Sequence, residues 1–118
     1  MSPNYSRHHH AITCALLSVC VALSILTLAS AAASRSRTHT VTLRGMKYLP
    51  ATVIVNVGDT VVWKNEDIVP HTVTDRGKAF DSGNIAPGAS WSYAANRKGT
   101  YFYYCAYHPN TKGKLVVR

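Results

Sequence analysis

From His39 onward, apolar and polar residues alternate with a period of two, and turn residues interrupt the pattern at short intervals. Side chains on a β-strand point to alternate faces, so this alternation is typical of strands that are buried on one side. The 3.6-residue apolar spacing of an amphipathic helix is absent from this part of the sequence. The alternation predicts strands near residues 40–43, 52–57, 60–65, 71–74, 90–94, 100–105 and 113–118.

Gly- and Pro-containing turns separate these segments, at Gly58-Asp59, Asp81-Ser82-Gly83, Pro87-Gly88 and Lys98-Gly99. About six to eight short strands joined in this way predict an all-β fold, an antiparallel sandwich or a barrel. A domain of this size is only marginally stabilised by its core, so a bound metal ion would also contribute to its stability.

The first 33 residues differ from the rest. Arg7 and the histidines at 8–10 precede an apolar stretch over residues 11–28. Small residues spaced as A-x-A follow, and cleavage after Ala31 or after Ala33 fits them equally well. This order predicts a secretory signal peptide over residues 1–33, hence an exported protein, periplasmic if bacterial. The apolar run nearly reaches the length of a membrane span, so an uncleaved anchor is the alternative. Residues 34–38 are then a short flexible lead, and residues 39–118 form the domain.

Removal of the signal peptide changes the cysteine count. The chain has three cysteines, of which only Cys105 lies beyond residue 33. A single thiol in an oxidising compartment cannot form an internal disulfide, and it is a liability unless it is buried or ligated. The lone cysteine is therefore a first indication of a metal site.

The mature segment is strongly basic. It carries twelve Lys and Arg against five Asp and Glu, a net charge of +7. This charge favours encounter with an acidic partner. Nucleic acid is a poor candidate, because the protein is expected to be exported and its basic residues are spread along the chain.

Cys105 and His108 lie three residues apart after a predicted strand, and His71 follows the rigid Pro70 in an earlier loop. A soft thiolate with imidazoles suits zinc or copper. Structural zinc needs four ligands, which would require His39 at the very start of the first strand. Two histidines and one cysteine are instead the set used in copper electron-transfer sites, so these residues predict one copper ion.

Several ordered motifs carry a family resemblance: Met46-Lys47-Tyr48, the run from Val57 to Trp63, Pro70-His71-Thr72-Val73, Phe80-Asp81-Ser82-Gly83, Pro87-Gly88, Gly99-Thr100-Tyr101, and Cys105-x-x-His108-Pro109 before Gly113-Lys114. With these motifs the mature segment resembles the small cupredoxins, most closely the amicyanin-like group, with plastocyanin and pseudoazurin more distant. The resemblance implies a Greek-key β-sandwich or barrel, a single copper ion and one-electron transfer. It also implies that His71, Cys105 and His108 are the equatorial ligands.

One position departs from the family pattern. Cys-x-x-His-x-x-Met would place a weak axial methionine at Thr111. Met46 lies elsewhere, and we expect it to pack in the core. Three interpretations follow: copper is essentially three-coordinate with the Pro70 carbonyl nearby, Thr111 or a water supplies a weak oxygen ligand, or the protein has lost electron transfer while keeping the fold.

The resemblance also suggests residues around the ligands. The Thr72 amide is the expected hydrogen-bond donor to the Cys105 sulfur, and Asn65 belongs to the same surrounding set. Ala106 lacks the hydroxyl that relatives often have there, so one side-chain tie between the ligand loops is expected to be missing. Tyr107 and Pro109 would form an apolar rim around His108 for contact with a partner.

The sequence thus predicts a monomeric electron carrier and not an enzyme. Its partner would be an acidic redox protein, a cytochrome or a dehydrogenase, and it would meet a membrane only if residues 1–33 are retained. The alternative is a copper-handling module without rapid redox cycling, because Thr111 stands at the axial position.

Overall fold

The alternating segments form eight strands in the computed structural model, which describes residues 34–118. The strands are β1 (Thr38–Arg44), β2 (Lys47–Leu49), β3 (Thr52–Val55), β4 (Thr60–Asn65), β5 (Thr74–Asp75), β6 (Ser90–Ala94), β7 (Gly99–Tyr104) and β8 (Lys112–Val117). The predicted signal peptide or anchor over residues 1–33 lies outside the described residues. Between residues 34 and 118 no helix is long and apolar enough to span a membrane.

The strands make two four-stranded sheets, in the orders β2-β1-β4-β6 and β3-β8-β7-β5. The predicted all-β sandwich is confirmed, but it is not wholly antiparallel. β1 pairs with β4, and β3 with β8, in parallel. This follows from the chain path: β3 belongs to the second sheet, so the chain crosses over after β2 and returns to the first sheet beside β1 in the same direction.

An aromatic cluster fills the space between the sheets. Trp63 of β4 is fully buried and meets Tyr103 of β7 edge to face, with ring centroids 5.4 Å apart. Tyr48 also meets Tyr103 edge to face, at 4.8 Å, and Trp91 lies 5.5 Å from Trp63. Such aromatic pairs contribute about 0.5–1.5 kcal/mol each beyond their buried area. Inward-facing residues of both sheets therefore form one core.

Two predicted strands are shorter than the alternation suggested. β3 ends at Val55, and Val57 is 43% exposed, because the chain already turns where the Asp59 amide donates to the Asn56 carbonyl. Of residues 71–74 only Thr74 belongs to a strand. His71 instead makes an isolated bridge with Ile85, which places it in a loop at the end of the sandwich.

The prediction that Met46 packs in the core is wrong. Met46 is 39% exposed and occupies the two-residue turn between β1 and β2, with φ values of 59° at Gly45 and 61° at Met46. Positive φ at both central residues is the type I′ geometry that matches the twist of a hairpin. The turn directs the methionine side chain out of the core, and the alternation of apolar and polar residues does not predict this turn.

Gly113 of β8 packs directly against the buried ring of Tyr103. A Cβ at this position would lie 2.3 Å from the Tyr103 ring, which also packs against Tyr48 and Trp63. We expect Gly113→Ala to lower the free energy of unfolding by about 2–3 kcal/mol, as overpacking in a core does. Urea unfolding measures this, with Lys112→Ala on the exposed side of the same strand as the control. A loss below about 0.5 kcal/mol would contradict the close packing.

Asp59 holds the start of the domain at the end of the sandwich away from the Gly45–Met46 turn. Its carboxylate accepts hydrogen bonds from the Arg37 and Asn56 amides and from His39 Nε2, at 2.9–3.0 Å. These bonds, chiefly the two from backbone amides, lower the pKa of Asp59 to about 2.

Because the folded pKa of Asp59 lies below the unfolded value of about 3.9, its contribution to stability is complete above that value. It is lost as the pH falls toward 2. We therefore expect Asp59→Asn to lose less stability than the wild type between pH 4 and pH 2 in urea unfolding. Asn96→Ala, which changes an exposed side chain and removes no carboxylate, is the control and should keep the wild-type slope. Parallel curves for Asp59→Asn and wild type would refute the assignment.

Candidate metal centre

Three side chains from two neighbouring loops meet at one end of the sandwich. His71 lies between β4 and β5, while Cys105 and His108 lie between β7 and β8. Their ligand atoms are all within 4.8 Å of one another, and the Cys105 Sγ lies 3.7 Å from His108 Nδ1. His71 and Cys105 are fully buried, whereas His108 is partly exposed. Within residues 34–118, no other such set of His, Cys, Asp or Glu side chains comes together.

A tight loop explains the Cys-x-x-His spacing. The His108 amide donates to the Cys105 carbonyl at 3.2 Å, and the Thr111 amide donates to the His108 carbonyl at 2.8 Å. The Cys105 amide in turn donates to the Thr111 carbonyl, which closes the loop where β8 begins. These consecutive turns return the chain, so that the imidazole of His108 lies beside the thiol of Cys105.

Asn65 shapes the other loop, which carries His71. Its side-chain amide donates to the carbonyls of Val69 and Ile85, at 2.8 and 3.0 Å, and its oxygen accepts from the Asp67 amide. Asn65 is fully buried at the end of β4. It therefore fixes the path of the loop, and its side-chain hydrogen bonds go to this loop and to Ile85 and not to the three candidate ligands.

The orientation of His71 fits a metal ligand. Its Nε2 lies 2.8 Å from the Asp67 carboxylate, and its Nδ1 is buried without a hydrogen-bond partner. The carboxylate favours the tautomer with hydrogen on Nε2, which leaves the lone pair of Nδ1 free. A buried nitrogen without a partner is costly unless something binds it. Together with the Cys105 thiolate and the His108 imidazole, this donor set fits copper.

A four-ligand zinc site would need His39, which lies elsewhere. His39 pairs with Asp59, whereas the Gly45–Met46 turn at the other end of β1 contacts the ligand loops. Residues 39 and 44 are about 16 Å apart along the strand, at roughly 3.3 Å per residue. Among residues 34–118 the structure therefore offers three protein ligands at this site, and not the four of a structural zinc site.

Asp67 was not singled out from the sequence. It accepts hydrogen bonds from the Gly45 and Met46 amides at 2.6 and 3.0 Å as well as contacting His71. Burial alone would raise the pKa of Asp67, but these three hydrogen bonds outweigh it and leave the pKa below its ordinary value. The group is thus a carboxylate that holds His71. An acidic residue four positions before a candidate histidine was the available signal.

Thr72 connects the two ligand loops. Its amide donates to the Cys105 sulfur at 3.3 Å, and its hydroxyl accepts from the Ala106 amide at 2.8 Å. Ala106 has no side-chain hydroxyl that could join the two loops, but its backbone amide joins them by donating to the Thr72 hydroxyl. The Tyr48 phenol donates to the Thr72 carbonyl from inside the core. The sulfur is therefore held by a segment that is itself anchored.

Comparison with known proteins agrees with this geometry. Residues 15–117 match the family model described as the cupredoxin-like domain. The chain belongs to the cupredoxin family. The family resemblance seen in the sequence motifs and the predicted fold are both confirmed.

Among curated proteins, this cupredoxin is 32% identical to amicyanin of Paracoccus versutus over 77 residues, which cover 61% of the chain and 58% of that protein. It is 35% identical to amicyanin of Paracoccus denitrificans over 82 residues, 61% of the chain and 59% of that protein. Amicyanin-alpha of Methylorubrum extorquens is 29% identical over 112 residues, 91% and 94% of the two chains. The alignment thus spans less than two thirds of the two Paracoccus proteins.

Solved structures give the same result. A Cu(I) structure of an amicyanin variant superposes with a TM-score of 0.64 and 34% identity, covering 69% of this chain and 82% of the other. An oxidised form of another amicyanin variant gives a TM-score of 0.65 at the same identity and coverage. The similarity therefore covers the described domain.

The position expected for an axial ligand differs in this cupredoxin. Thr111 is buried, and its hydroxyl donates to the Met46 carbonyl at 2.7 Å. Pro70, whose carbonyl was the other suggested axial group, lies on the exposed side of the loop before His71. The hydroxyl proton of Thr111 is thus committed to the β1–β2 turn.

The two residues on either side of His108 in the chain are exposed to solvent. Tyr107, which is 50% exposed, and the exposed Pro109 were predicted as a rim for contact with a partner, and the Tyr107 phenol donates to the Asn84 side chain at 3.0 Å. Ile68, on the loop before His71, is 95% exposed.

Proposed function

We propose that this cupredoxin binds one copper ion through His71, Cys105 and His108 and carries one electron between redox partners. One observation supports this most: the buried Nδ1 of His71 has no partner and belongs to a set of ligand atoms within 4.8 Å of one another. Copper bound there would supply a one-electron couple, Cu(I)/Cu(II). Amicyanin structures with Cu(I) support the choice of metal.

The protein's own contribution is to keep the ligands in place. The Asp67 carboxylate holds the imidazole of His71, and the Thr72 amide donates a hydrogen bond to the sulfur of Cys105. Backbone hydrogen bonds close the loop of Cys105 and His108, and the Asn65 side chain fixes the loop before His71. Ligands fixed in this way, on loops supported by a rigid sandwich, move little when the charge at the site changes, which suits rapid electron transfer.

The surface indicates where the electron leaves and what kind of partner receives it. His108 is the partly exposed ligand, so its ring is the proposed electron exit, and Tyr107 and Pro109 form the apolar contact around it. The net charge of +7 beyond residue 33 favours an acidic partner, a cytochrome or a dehydrogenase. We place the protein outside the cytoplasm as a monomer, with residues 1–33 as signal peptide or membrane anchor. No residue is assigned a catalytic role.

Copper titration followed by visible spectroscopy and voltammetry tests the proposal. We expect one copper per chain, intense visible absorption from the copper–thiolate bond and a fast, reversible couple. Tight Cu(I) binding without a reversible couple would replace electron transfer with copper handling. A protein that binds no copper would refute both functions.

A further inference from the structure

Thr111 stands where the family pattern has a methionine, and its side chain makes a different kind of contact. Its hydroxyl donates to the Met46 carbonyl across 65 residues of sequence at 2.7 Å, and Thr111 itself is buried. This bond joins the ligand loop of Cys105 and His108 to the β1–β2 turn. A hydroxyl, unlike a thioether, can donate a hydrogen bond of this kind.

The same turn holds the carboxylate that orients His71. The amides of Gly45 and Met46 donate to Asp67, and the Asp67 Oδ2 lies 2.8 Å from His71 Nε2. Met46 therefore takes part through both of its backbone polar groups: its carbonyl accepts from Thr111, and its amide donates to Asp67. A continuous series of hydrogen bonds leads from one ligand loop to the other.

The turn is a sensitive point in this series. Met46 has a φ of 61°, in the left-handed region that residues other than glycine seldom occupy. A residue in this region persists only where surrounding contacts hold it. The bonds from Thr111 and to Asp67 fix the two peptide groups that flank its Cα.

We propose that Thr111 is a positioning residue for His71, acting through the Gly45–Met46 turn and Asp67, and not as the axial ligand itself. The proposal builds on the proposed copper site, because it explains how His71 is held for the metal. In place of an axial ligand, the ligand loop gains a hydrogen bond to the turn that orients the opposite ligand.

The first test uses the full-length chain without metal, so that it does not depend on copper binding. Thr111→Val removes the hydroxyl at constant shape, and Thr111→Ser keeps it. NMR measures hydrogen exchange at the Gly45 and Met46 amides and at His71 Nε2–H. Loss of one buried hydrogen bond predicts about 2- to 10-fold faster exchange in Thr111→Val. Thr111→Ser should stay within about twofold of the wild type.

Thr52→Val, at an exposed threonine of β3, is the matched control and should change none of these rates. Unchanged exchange in Thr111→Val, or an equal increase in Thr111→Ser, would overturn the proposal. A change confined to the turn amides that does not reach His71 would also overturn it, because the contact would then be structural only.

A second test compares Cu(I) affinities in a double-mutant cycle. Thr111→Val alone is expected to weaken binding by up to about 10-fold, the lower end of what groups behind a ligand contribute. In an Asp67→Ala background the same change should have no further effect, since Thr111 acts through Asp67. Independent, multiplying effects would overturn the proposal. A protein that binds no copper would refute the proposed function, while the exchange measurements would still decide the role of Thr111.

Discussion

Replacing Cys105 with serine is expected to abolish the intense visible absorption of the copper-loaded protein and to lower its Cu(I) affinity at least about 100-fold. Groups behind a ligand already contribute 10- to 100-fold in metal affinity, so loss of a direct thiolate ligand should cost more. Serine nearly keeps the size of the side chain. In the wild type the Thr72 amide donates to the sulfur, and in the variant the serine hydroxyl can accept that hydrogen bond. The change therefore removes the soft donor and leaves the loop in place.

The absorption spectrum and a Cu(I) competition titration measure these effects, and the urea midpoint of the metal-free variant shows that the fold is retained. His39→Ala is the matched control, because it removes an imidazole that contacts Asp59 and is not part of the ligand cluster. This control should bind copper as the wild type does. Full visible absorption in Cys105→Ser would refute the assignment of the Cys105 thiolate as a copper ligand.

Much of the fold was predictable, because it depends on short-range patterns. Alternation predicted the strands that supply Trp63 and Tyr103 to the core, and Gly58-Asp59 correctly predicted a turn. The parallel pairings were not predictable in this way. They arise from the order in which the chain visits the two sheets, and alternation contains no information about which strands become neighbours.

The site was predictable to a similar extent. Ligand chemistry and spacing brought His71, Cys105 and His108 to attention, and the structure brings these three side chains together. The supporting contacts could not be predicted. Asp67 matters because two amides of a distant turn and His71 converge on it, and convergence across about 20 residues of sequence is a property of the folded chain.

The expected burial of Met46 failed for a related reason. An isolated methionine is usually read as core, since sulfur-containing side chains are among the buried ones. Here the backbone of Met46 carries the interactions and its side chain lies at the surface. Residue type predicts side-chain burial, but it does not predict a left-handed turn whose peptide groups are held from two sides.

Replacing Thr111 with methionine is expected to lower the reduction potential of the copper site. The axial donor tunes the potential of sites with two histidines and a cysteine, and Thr111 has its hydroxyl proton directed to Met46. A thioether at this position would stabilise Cu(II) more than the present side chain does. Each tenfold change in the equilibrium constant is about 59 mV for one electron, and we expect a fall of about 60–120 mV.

Voltammetry of Thr111→Met beside Thr111→Leu separates ligation from loss of the hydrogen bond. Both variants lose the hydroxyl that donates to Met46, but only methionine offers a donor atom to the metal. A lower potential in Thr111→Met than in Thr111→Leu therefore measures the sulfur alone. Equal potentials would mean that the loop does not bring residue 111 within reach of the metal. A potential for Thr111→Met that does not fall below that of the wild type would contradict the prediction that a thioether at position 111 stabilises Cu(II) more than threonine does.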